Sequence, residues 1–479
     1  MKRAYIYLLL FSAMLASCSR TIQPGKQLND LPDIFPDYAD VTIPCNIAPM
    51  DFQLNGAENL ETQLIIAGDG TSFQVEGEQG DFDIPMSDWK DLLEEQKGKD
   101  ITFTVCYKDG GEWVAYKPFQ MYVANDSIDS WMAYRLIPPG YGIWNAMGIY
   151  QRNLETFDEK AIMTNNLMEF NCMNCHCFQS GKPEKMSLHI RGRHGGSVLV
   201  DNQKVSTIIP EMPEGLKGIA YPYWHPTEDF ITFASDRVAQ SFYANHRNRI
   251  EVYDTYSDIV VYDTHTGKAH TAPYMSDPGV WETFPSFSAD GKYLYWSACD
   301  TVPSPYPLHY QDAHFSVLRT TFDAKTCTFG ETPDTILNAG TTSSFIYPRE
   351  SPDGRFMVYN QFDYGYFPLN HKEGDLYIRD MKTGECRQMT KANSEDAEGY
   401  HSWSRNSRWL VVSSRRMDGL YARPYFIYID VDGNCTKPFV MPQRHPKHYY
   451  DNELNSYNIP ELITGEVKVN KHKIAKSLW

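Results

Sequence analysis

Two cysteines and a histidine stand close together in the sequence Cys172-Met173-Asn174-Cys175-His176. Two thiols at this spacing can add to the two vinyl groups of one porphyrin, and the adjacent imidazole can then bind the iron. The motif therefore predicts one covalent haem c, with Cys172 and Cys175 as attachment points and His176 as the proximal iron ligand.

The second axial ligand of such an iron is open to several candidates. His189 lies far enough beyond His176 for the chain to fold over the ring, and His194, followed by two glycines, is the second candidate. Met186 or Met168 is the third, and methionine would raise the potential relative to two histidines. A five-coordinate iron would permit ligand chemistry.

Three other interpretations compete with haem. A thioredoxin-like pair of cysteines needs a βαβ setting, which this region lacks. A zinc site would need further ligands, for which Cys177, His189 and His194 are available. A structural disulfide or a chance match is the third alternative.

The amino terminus has the features of an export signal. Lys2 and Arg3 precede an apolar run that is too short to span a bilayer, and the run ends in Leu15-Ala16-Ser17-Cys18. This ending resembles a bacterial lipobox. It predicts a signal peptide over 1–17, a lipidated Cys18, a linker over 18–32, and a chain anchored in the cell envelope. Because no acidic cluster follows Cys18, we expect the periplasmic face of the outer membrane.

The composition restricts the partners and the fold. The formal net charge of −17 repels the phosphate groups of nucleic acids, so no nucleic-acid partner is predicted. Aromatic residues make up 14% of the chain, and frequent glycines and prolines favour short strands with many turns. Of the ten cysteines, Cys45 and Cys106 fall in one early region and are a candidate disulfide.

The chain before the repeats divides into two regions. Residues 33–128 contain strand-like runs separated by Gly-Asp-Gly and Asp-Gly-Gly turns, which predicts a small immunoglobulin-like β-sandwich with one helix, Ser87 to Glu95. Residues 129–185 are predicted to be a short helical haem-binding segment. Within it, Thr156 and Glu159 form a capping box that predicts a short helix to about Leu167.

The rest of the chain, residues 186–470, repeats itself. Four segments with an aromatic residue at the start precede an apolar strand, and most of these strands are followed by a second hairpin. Two hairpins per repeat predict four-stranded sheets arranged radially. The segments are Tyr221 to Pro226, Phe284 to Gly291, Tyr347 to Gly354 and Tyr400 to Asn406.

Phe284 to Lys292 and Tyr347 to Arg355 resemble the strand entry of TolB-like β-propellers, aromatic-Pro-x-aromatic-Ser-Pro-Asp-Gly-Lys/Arg. The resemblance implies a mainly β fold, with a propeller of five blades and six as the alternative count. Strands between Leu188 and Ile209 would form a half-blade, and Gly465 to Val469 would supply its missing strand and close the ring.

The stretch from Asn171 to Gly196, with Gln151-Arg152-Asn153 before it, resembles propeller lipoproteins of Bacteroidetes type that carry the haem motif. This resemblance implies architecture and haem but no particular reaction. We therefore expect extracytoplasmic electron transfer or haem-based redox chemistry with a redox partner. The alternatives are a non-enzymatic scaffold that binds a protein partner, with a structural haem, and a binding lipoprotein without haem.

His225 and His401 lie at or near equivalent segment starts, close to where a propeller channel opens, and the favoured interpretation is that they make hydrogen bonds that stabilise the blades. A second group of polar residues is a candidate lining for a polar funnel: Asp236, Arg349, Glu350, Arg415 and Arg416. The sequence has no nucleophile elbow, Gly-rich phosphate loop or His-Glu-x-x-His motif, so it does not support a hydrolase.

Overall fold

The computed structural model describes residues 22–139, 146–208, 219–303 and 306–479. The predicted signal peptide and Cys18 lie outside these residues. The described chain is mainly β, with ten strands in an N-terminal region and six four-stranded antiparallel arrangements after it. None of the helices in these residues has the length and apolar character that crossing a membrane requires.

The N-terminal region contains a seven-stranded and a three-stranded sheet. The predicted helix is confirmed at Met86–Glu95. Two of the strand pairings are parallel, which differs from the antiparallel sheets of an immunoglobulin-like sandwich. The strands are Lys26–Gln27, Ile34–Phe35, Val41–Ile43, Phe52–Leu54, Thr62–Gly68, Thr71–Gly77, Asp81–Phe82, Asp100–Asp109, Glu112–Ala115 and Phe119–Val123.

Six sheets follow, numbered 1 to 6 here, and each has its strands in antiparallel order from an inner strand outward. Sheet 1 is Ser456–Ile463, Trp131–Ile137, Gly148–Asn153 and Glu159–Thr164; sheet 2 is Met173–Phe178, Lys185–Ile190, Gly196–Asp201 and Lys204–Ile208; sheet 3 is Ala220–Trp224, Phe230–Phe242, Ile250–Asp263 and Ala269–His270.

Sheet 4 carries one additional short strand, Thr328–Phe329, on its third strand. The remaining strands are, for sheet 4, Val280–Phe287, Tyr293–Asp300, Ser316–Asp323 and Asp334–Leu337; for sheet 5, Ser344–Glu350, Phe356–Phe362, Asp375–Asp380 and Cys386–Gln388; and for sheet 6, Glu398–Trp403, Trp409–Ser414, Arg423–Tyr428 and Phe439–Val440.

The helices outside the N-terminal region are short and lie in loops or near the C-terminus. They are Tyr306–His309, Pro446–Asn452 and Lys471–Ser477, with 3₁₀ turns at Asn165–Leu167, Gln179–Gly181, Pro273–Met275, Tyr310–Asp312 and Pro368–Asn370.

The inner strands of the six sheets contact one another in a closed circle, from sheet 1 through sheet 6 and back to sheet 1. This is a propeller-like arrangement. The six sheets exceed the five blades that the sequence favoured and equal the alternative count of six. The strand that closes the circle is Ser456–Ile463, which pairs with Trp131–Ile137. The predicted closing segment, Gly465 to Val469, is not a strand.

The predicted helix from Thr156 to Leu167 is wrong, because half of this segment is the outer strand Glu159–Thr164 of sheet 1. Asn153 Oδ1 accepts the backbone N–H groups of Glu155 and Thr156, which makes a turn rather than a helix start. The strand then pairs with Gly148–Asn153, so tertiary pairing outweighs the local helix signal.

The N-terminal region packs against sheet 6, and its apolar side chains form one core with those of sheets 1, 5 and 6. The Tyr38 hydroxyl donates to the Val440 carbonyl at 3.2 Å, and the Trp409 indole donates to the Asp126 carbonyl at 3.1 Å. Cys45 and Cys106 are both free thiols, so the predicted disulfide between them is not formed.

Candidate functional site

Each inner strand carries the same irregularity. Its register with the next strand shifts by a bulge, and one residue in each has a left-handed φ between 50° and 56°. These six residues, named the channel ring here, are Cys175, Tyr221, Phe284, Tyr347, Tyr400 and Ile459.

The aromatic members of the channel ring contact one another in order. The ring centroids of Tyr221 and Phe284 are 4.1 Å apart, those of Phe284 and Tyr347 are 5.3 Å apart, and those of Tyr347 and Tyr400 are 5.4 Å apart. All four are at least nine-tenths buried. They therefore fill the middle of the circle with packed rings.

The haem motif coincides with this repeat. Cys175 is a channel-ring residue, and His176 stands where Pro222, Pro285 and Pro348 stand in other sheets. Residues 171–178 therefore enter an inner strand, Met173–Phe178, and not the predicted helical segment. The copies at Cys175 and Ile459 were missed in the sequence because cysteine and isoleucine replace the aromatic residue there.

The geometry of this strand does not fit a covalent haem. Cys172, 8% exposed, packs in one apolar cluster with Met173 and Ile190. Cys175, 1% exposed, packs in another with Tyr221. His176 borders a cavity that neither thiol lines. A haem bound through both cysteines needs the two sulfurs and the imidazole on one open space.

The candidate distal ligands lie elsewhere. The ring Nδ1 of His189 is 2.8 Å from Ser197 Oγ, and burial lowers the pKa of this imidazole to about 4. His194 stacks on Trp479, with centroids 4.3 Å apart. Among the described residues, no three His, Cys, Asp or Glu side chains are grouped to hold a metal ion, so the zinc alternative gains no support.

A cavity of about 490 Å³, named the channel cavity here, lies at the C-terminal ends of the inner strands. Five of its wall residues stand two positions after a channel-ring residue, so they face the same axis. They are Cys177, Tyr223, Arg349, Ser402 and Glu461. Other wall residues include His176, Lys182, Glu350, His401, Trp403 and Arg405.

Two of the candidate funnel residues, Arg349 and Glu350, line the channel cavity, and so does His401. His401 Nε2 also lies 2.9 Å from the Val358 carbonyl oxygen, and His225 Nε2 lies 3.1 Å from that of Gly291, which are hydrogen bonds between neighbouring sheets of the kind expected for these histidines. Asp236 lies at the other end of the inner strands, in a second cavity of about 370 Å³ with His189 and Arg191. The predicted residues that line neither cavity are His225, Arg415 and Arg416. Glu461 and Lys182 were not predicted, because their entry segments were not recognised.

Arg349 is held rigidly in the wall. Its guanidinium carbon is 3.9 Å from the centroid of the Tyr347 ring and 4.7 Å from that of Tyr223. One terminal nitrogen donates to the Pro348 carbonyl at 2.9 Å and to the Pro285 carbonyl at 3.4 Å. This planar cation is therefore fixed before any ligand arrives.

The carboxyl and imidazole groups of the cavity wall favour their neutral forms. Burial raises the pKa of Glu461 to about 8 and that of Glu350 to about 7. Burial also lowers the pKa of both His176 and His401 to about 3. Neither ring nitrogen of His176 forms a well-aligned hydrogen bond within the described residues, but backbone groups of Ile459 and Ala133 interact with the ring and partly oppose the lowering of its pKa.

Comparisons with known proteins give distant fold similarity. The chain resembles a periplasmic gluconolactonase of Pseudomonas aeruginosa at 14% identity, over 64% of this chain and 83% of the other, with a TM-score of 0.37. It resembles prolyl oligopeptidase B of Galerina marginata at 10% identity, over 71% of this chain and 42% of the other, with a TM-score of 0.37.

A puromycin-hydrolysing peptidase of Mycobacterium tuberculosis is similar at 12% identity, over 54% of this chain and 37% of the other, with a TM-score of 0.33. The chain thus spans well under half the length of the two peptidases. No family model and no curated protein sequence matches the chain. The similarity concerns the β-propeller fold alone.

Proposed function

We propose that this chain is an exported, lipid-anchored binding protein whose channel cavity holds a small ligand or the end of a partner's peptide. The observation that carries the proposal is the channel cavity itself, which has a volume of about 490 Å³ and a wall of aromatic and charged side chains. Sites for small ligands are typically concave, pre-formed and of this size. Anchoring through Cys18 would keep the binding domain in the envelope.

The proposal predicts saturable binding of at least one small probe. Suitable probes are glucose, glucuronate and glucosamine, which share a size and differ in charge, and acetyl-trialanine as free acid and as amide. Trp403 and Trp224 line the cavity, so their fluorescence reports occupancy. Ser402→Tyr should abolish the fluorescence change on binding, because the tyrosine ring would occupy the space of the ligand. The variant should still fold, because Tyr223 occupies the corresponding wall position of another sheet.

Ser72→Tyr is the matched control, since Ser72 is exposed in the N-terminal region. This variant should bind as the wild type does. The proposal fails if none of the five probes binds at concentrations up to about 10 mM, the weak limit of specific recognition. It also fails if binding persists unchanged in Ser402→Tyr.

Haem-based electron transfer is a second candidate, and one observation favours it. His176 borders the channel cavity, and burial keeps its imidazole neutral by lowering the pKa, which is the form that binds iron. Attachment through Cys172 and Cys175 would require the strand Met173–Phe178 to leave its place in the circle, because Cys175 is buried within this strand and Cys172 is buried directly before it.

We expect protein produced with a cytochrome c maturation system to give no pyridine haemochrome spectrum, and Cys175→Ala to keep the wild-type melting temperature within a few degrees. The physical reason is that Cys175 packs as a small apolar ring residue. A haemochrome band that disappears in Cys175→Ala would contradict this prediction and establish the second candidate.

A further inference from the structure

The channel cavity is basic although the chain is strongly acidic. The whole sequence has a formal net charge of −17, yet Lys182, Arg349 and Arg405 all line this cavity. Across the described residues, none of the three forms an ion pair within 4.0 Å. Three basic groups without a direct ion-pair partner in one concave space create a local positive potential.

The two acidic residues of the wall do not cancel this charge. Glu461 accepts the backbone N–H of Phe178 at 2.8 Å, and Glu350 accepts that of Ala289 at 3.2 Å, so both are engaged with backbone donors. The raised pKa values of both carboxyl groups mean that they are largely protonated slightly below neutral pH. The cavity is then positive overall.

The shape of the cationic group is also specific. The guanidinium of Arg349 is planar, stacked between two tyrosine rings and tied to two carbonyl groups, so it presents a fixed edge. A fixed guanidinium recognises a carboxylate through two parallel hydrogen bonds. A monoanion suits this wall better than a dianion, because Glu350 and Glu461 oppose additional negative charge when they ionise.

We propose that the ligand of the channel cavity carries a carboxylate group and that Arg349 is its principal contact. This inference rests on the proposed binding function and adds the chemical class of the ligand. The imidazole of His176, which borders the same cavity, would form a hydrogen bond with a neighbouring polar group of the same ligand. The carboxylate could belong to a sugar acid or to a peptide C-terminus.

The test uses the full mature protein at about pH 6.5, where both wall carboxyl groups favour the protonated form. Glucuronate is compared with glucose and glucosamine, and acetyl-trialanine acid with its amide, by tryptophan fluorescence and calorimetry. We expect a carboxylate probe to bind and its uncharged counterpart to bind at least about 10-fold more weakly. Glucuronate binding would indicate a sugar acid, and tripeptide binding a chain terminus.

Arg349→Met should weaken carboxylate binding by about 10- to 100-fold, the usual effect of losing a charge-assisted hydrogen bond. Arg355→Met is the matched control, since Arg355 lies outside the cavity and pairs with Asp380. If Arg349→Met does not fold, the double variant Lys182→Met/Arg405→Met removes two less buried cations and should weaken binding and its salt dependence.

The inference is overturned if glucose or the amide binds as tightly as its carboxylate counterpart. It is also overturned if carboxylate binding is unaffected both by Arg349→Met and by the double variant. In those cases the proposed binding function survives, because some probe still binds in the cavity. Failure of all five probes instead removes both the binding function and the carboxylate inference.

Discussion

Replacing His371 by leucine is expected to lower the free energy of unfolding by about 3–5 kcal/mol, the usual cost of removing one partner from a buried ion pair. His371 is fully buried, and its ring nitrogens lie 3.3 Å from Glu251 Oε2 and 3.1 Å from Glu373 Oε1. Leucine would leave the buried Glu251 carboxylate without its cation. Urea unfolding at about pH 5.5 measures the loss.

This cluster joins two distant parts of the circle. Glu251 belongs to the long third strand of sheet 3, whereas His371 and Glu373 follow the second strand of sheet 5. The Asn248 amide donates to Glu373 Oε2 at 3.2 Å and lies equally close to the His371 ring. The His371 ring also stacks on Phe362, with centroids 4.6 Å apart. Losing the imidazole therefore removes a connection between sheet 3 and sheet 5.

The contribution of this cluster depends on pH in a defined direction. Burial acts to lower the pKa of His371, but bonds to Glu251 and Glu373 outweigh it and raise the pKa to about 9. Burial acts to raise the pKa of Glu373, but its bond to His371 lowers the pKa to about 2. The histidine contribution is complete below its ordinary pKa of 6.5 and is lost as the pH rises through 9.

The glutamate contribution is complete above its ordinary pKa of 4.5 and is lost as the pH falls through 2. The difference in unfolding free energy between the wild type and His371→Leu should therefore be largest between pH 4.5 and 6.5. Lys447→Met is the control, because it breaks an exposed pair with Asp451 and should cost about 1 kcal/mol or less. A difference below about 1 kcal/mol at every pH would show that the cluster does not stabilise the fold.

The sequence was sufficient to predict the repeat wherever its entry segment kept an aromatic-Pro pair and an Asp-Gly turn. Phe284 to Gly291 and Tyr347 to Gly354 were predicted for this reason, and with them the position of Arg349 and Glu350 in the channel. Each inner strand packs against the inner strands of its two neighbouring sheets, and a bulky residue fills the space between them, so the aromatic signal has a direct structural cause.

The same logic explains what could not be predicted. At Cys175 and Ile459 the channel-ring residue is not aromatic. The segment around Cys175 was therefore predicted to be part of a helical haem-binding segment, and the segment around Ile459 was assigned to no element. The closing strand pairs with Trp131–Ile137, more than three hundred residues earlier, and no local pattern marks such a pairing. Glu461 reaches the cavity only because of this long-range pairing, so the set of site residues predicted from the sequence did not include it.

Removing the closing strand is expected to abolish cooperative unfolding. A chain that stops after Asn455 lacks Ser456–Ile463, in which Tyr457, Leu462 and Ile463 are almost fully buried. Burying three such side chains contributes about 5–9 kcal/mol, a large part of the 5–15 kcal/mol, roughly, that holds a typical domain together. The strand Trp131–Ile137 would also become an open sheet edge, which promotes association.

Thermal unfolding and size-exclusion chromatography should therefore show no sharp transition and a shift to larger species. The matched control stops after Val469, so it keeps the closing strand and the hydrogen bonds between Val467 and the buried Gln151. It removes residues 470–479, which include the helix Lys471–Ser477. This control should still unfold cooperatively. Adding a synthetic peptide of residues 456–466 to the shorter chain should restore part of the transition, since the peptide can pair again with Trp131–Ile137. A chain ending at Asn455 that melts as sharply as the wild type would mean that the circle of inner strands does not depend on its last member.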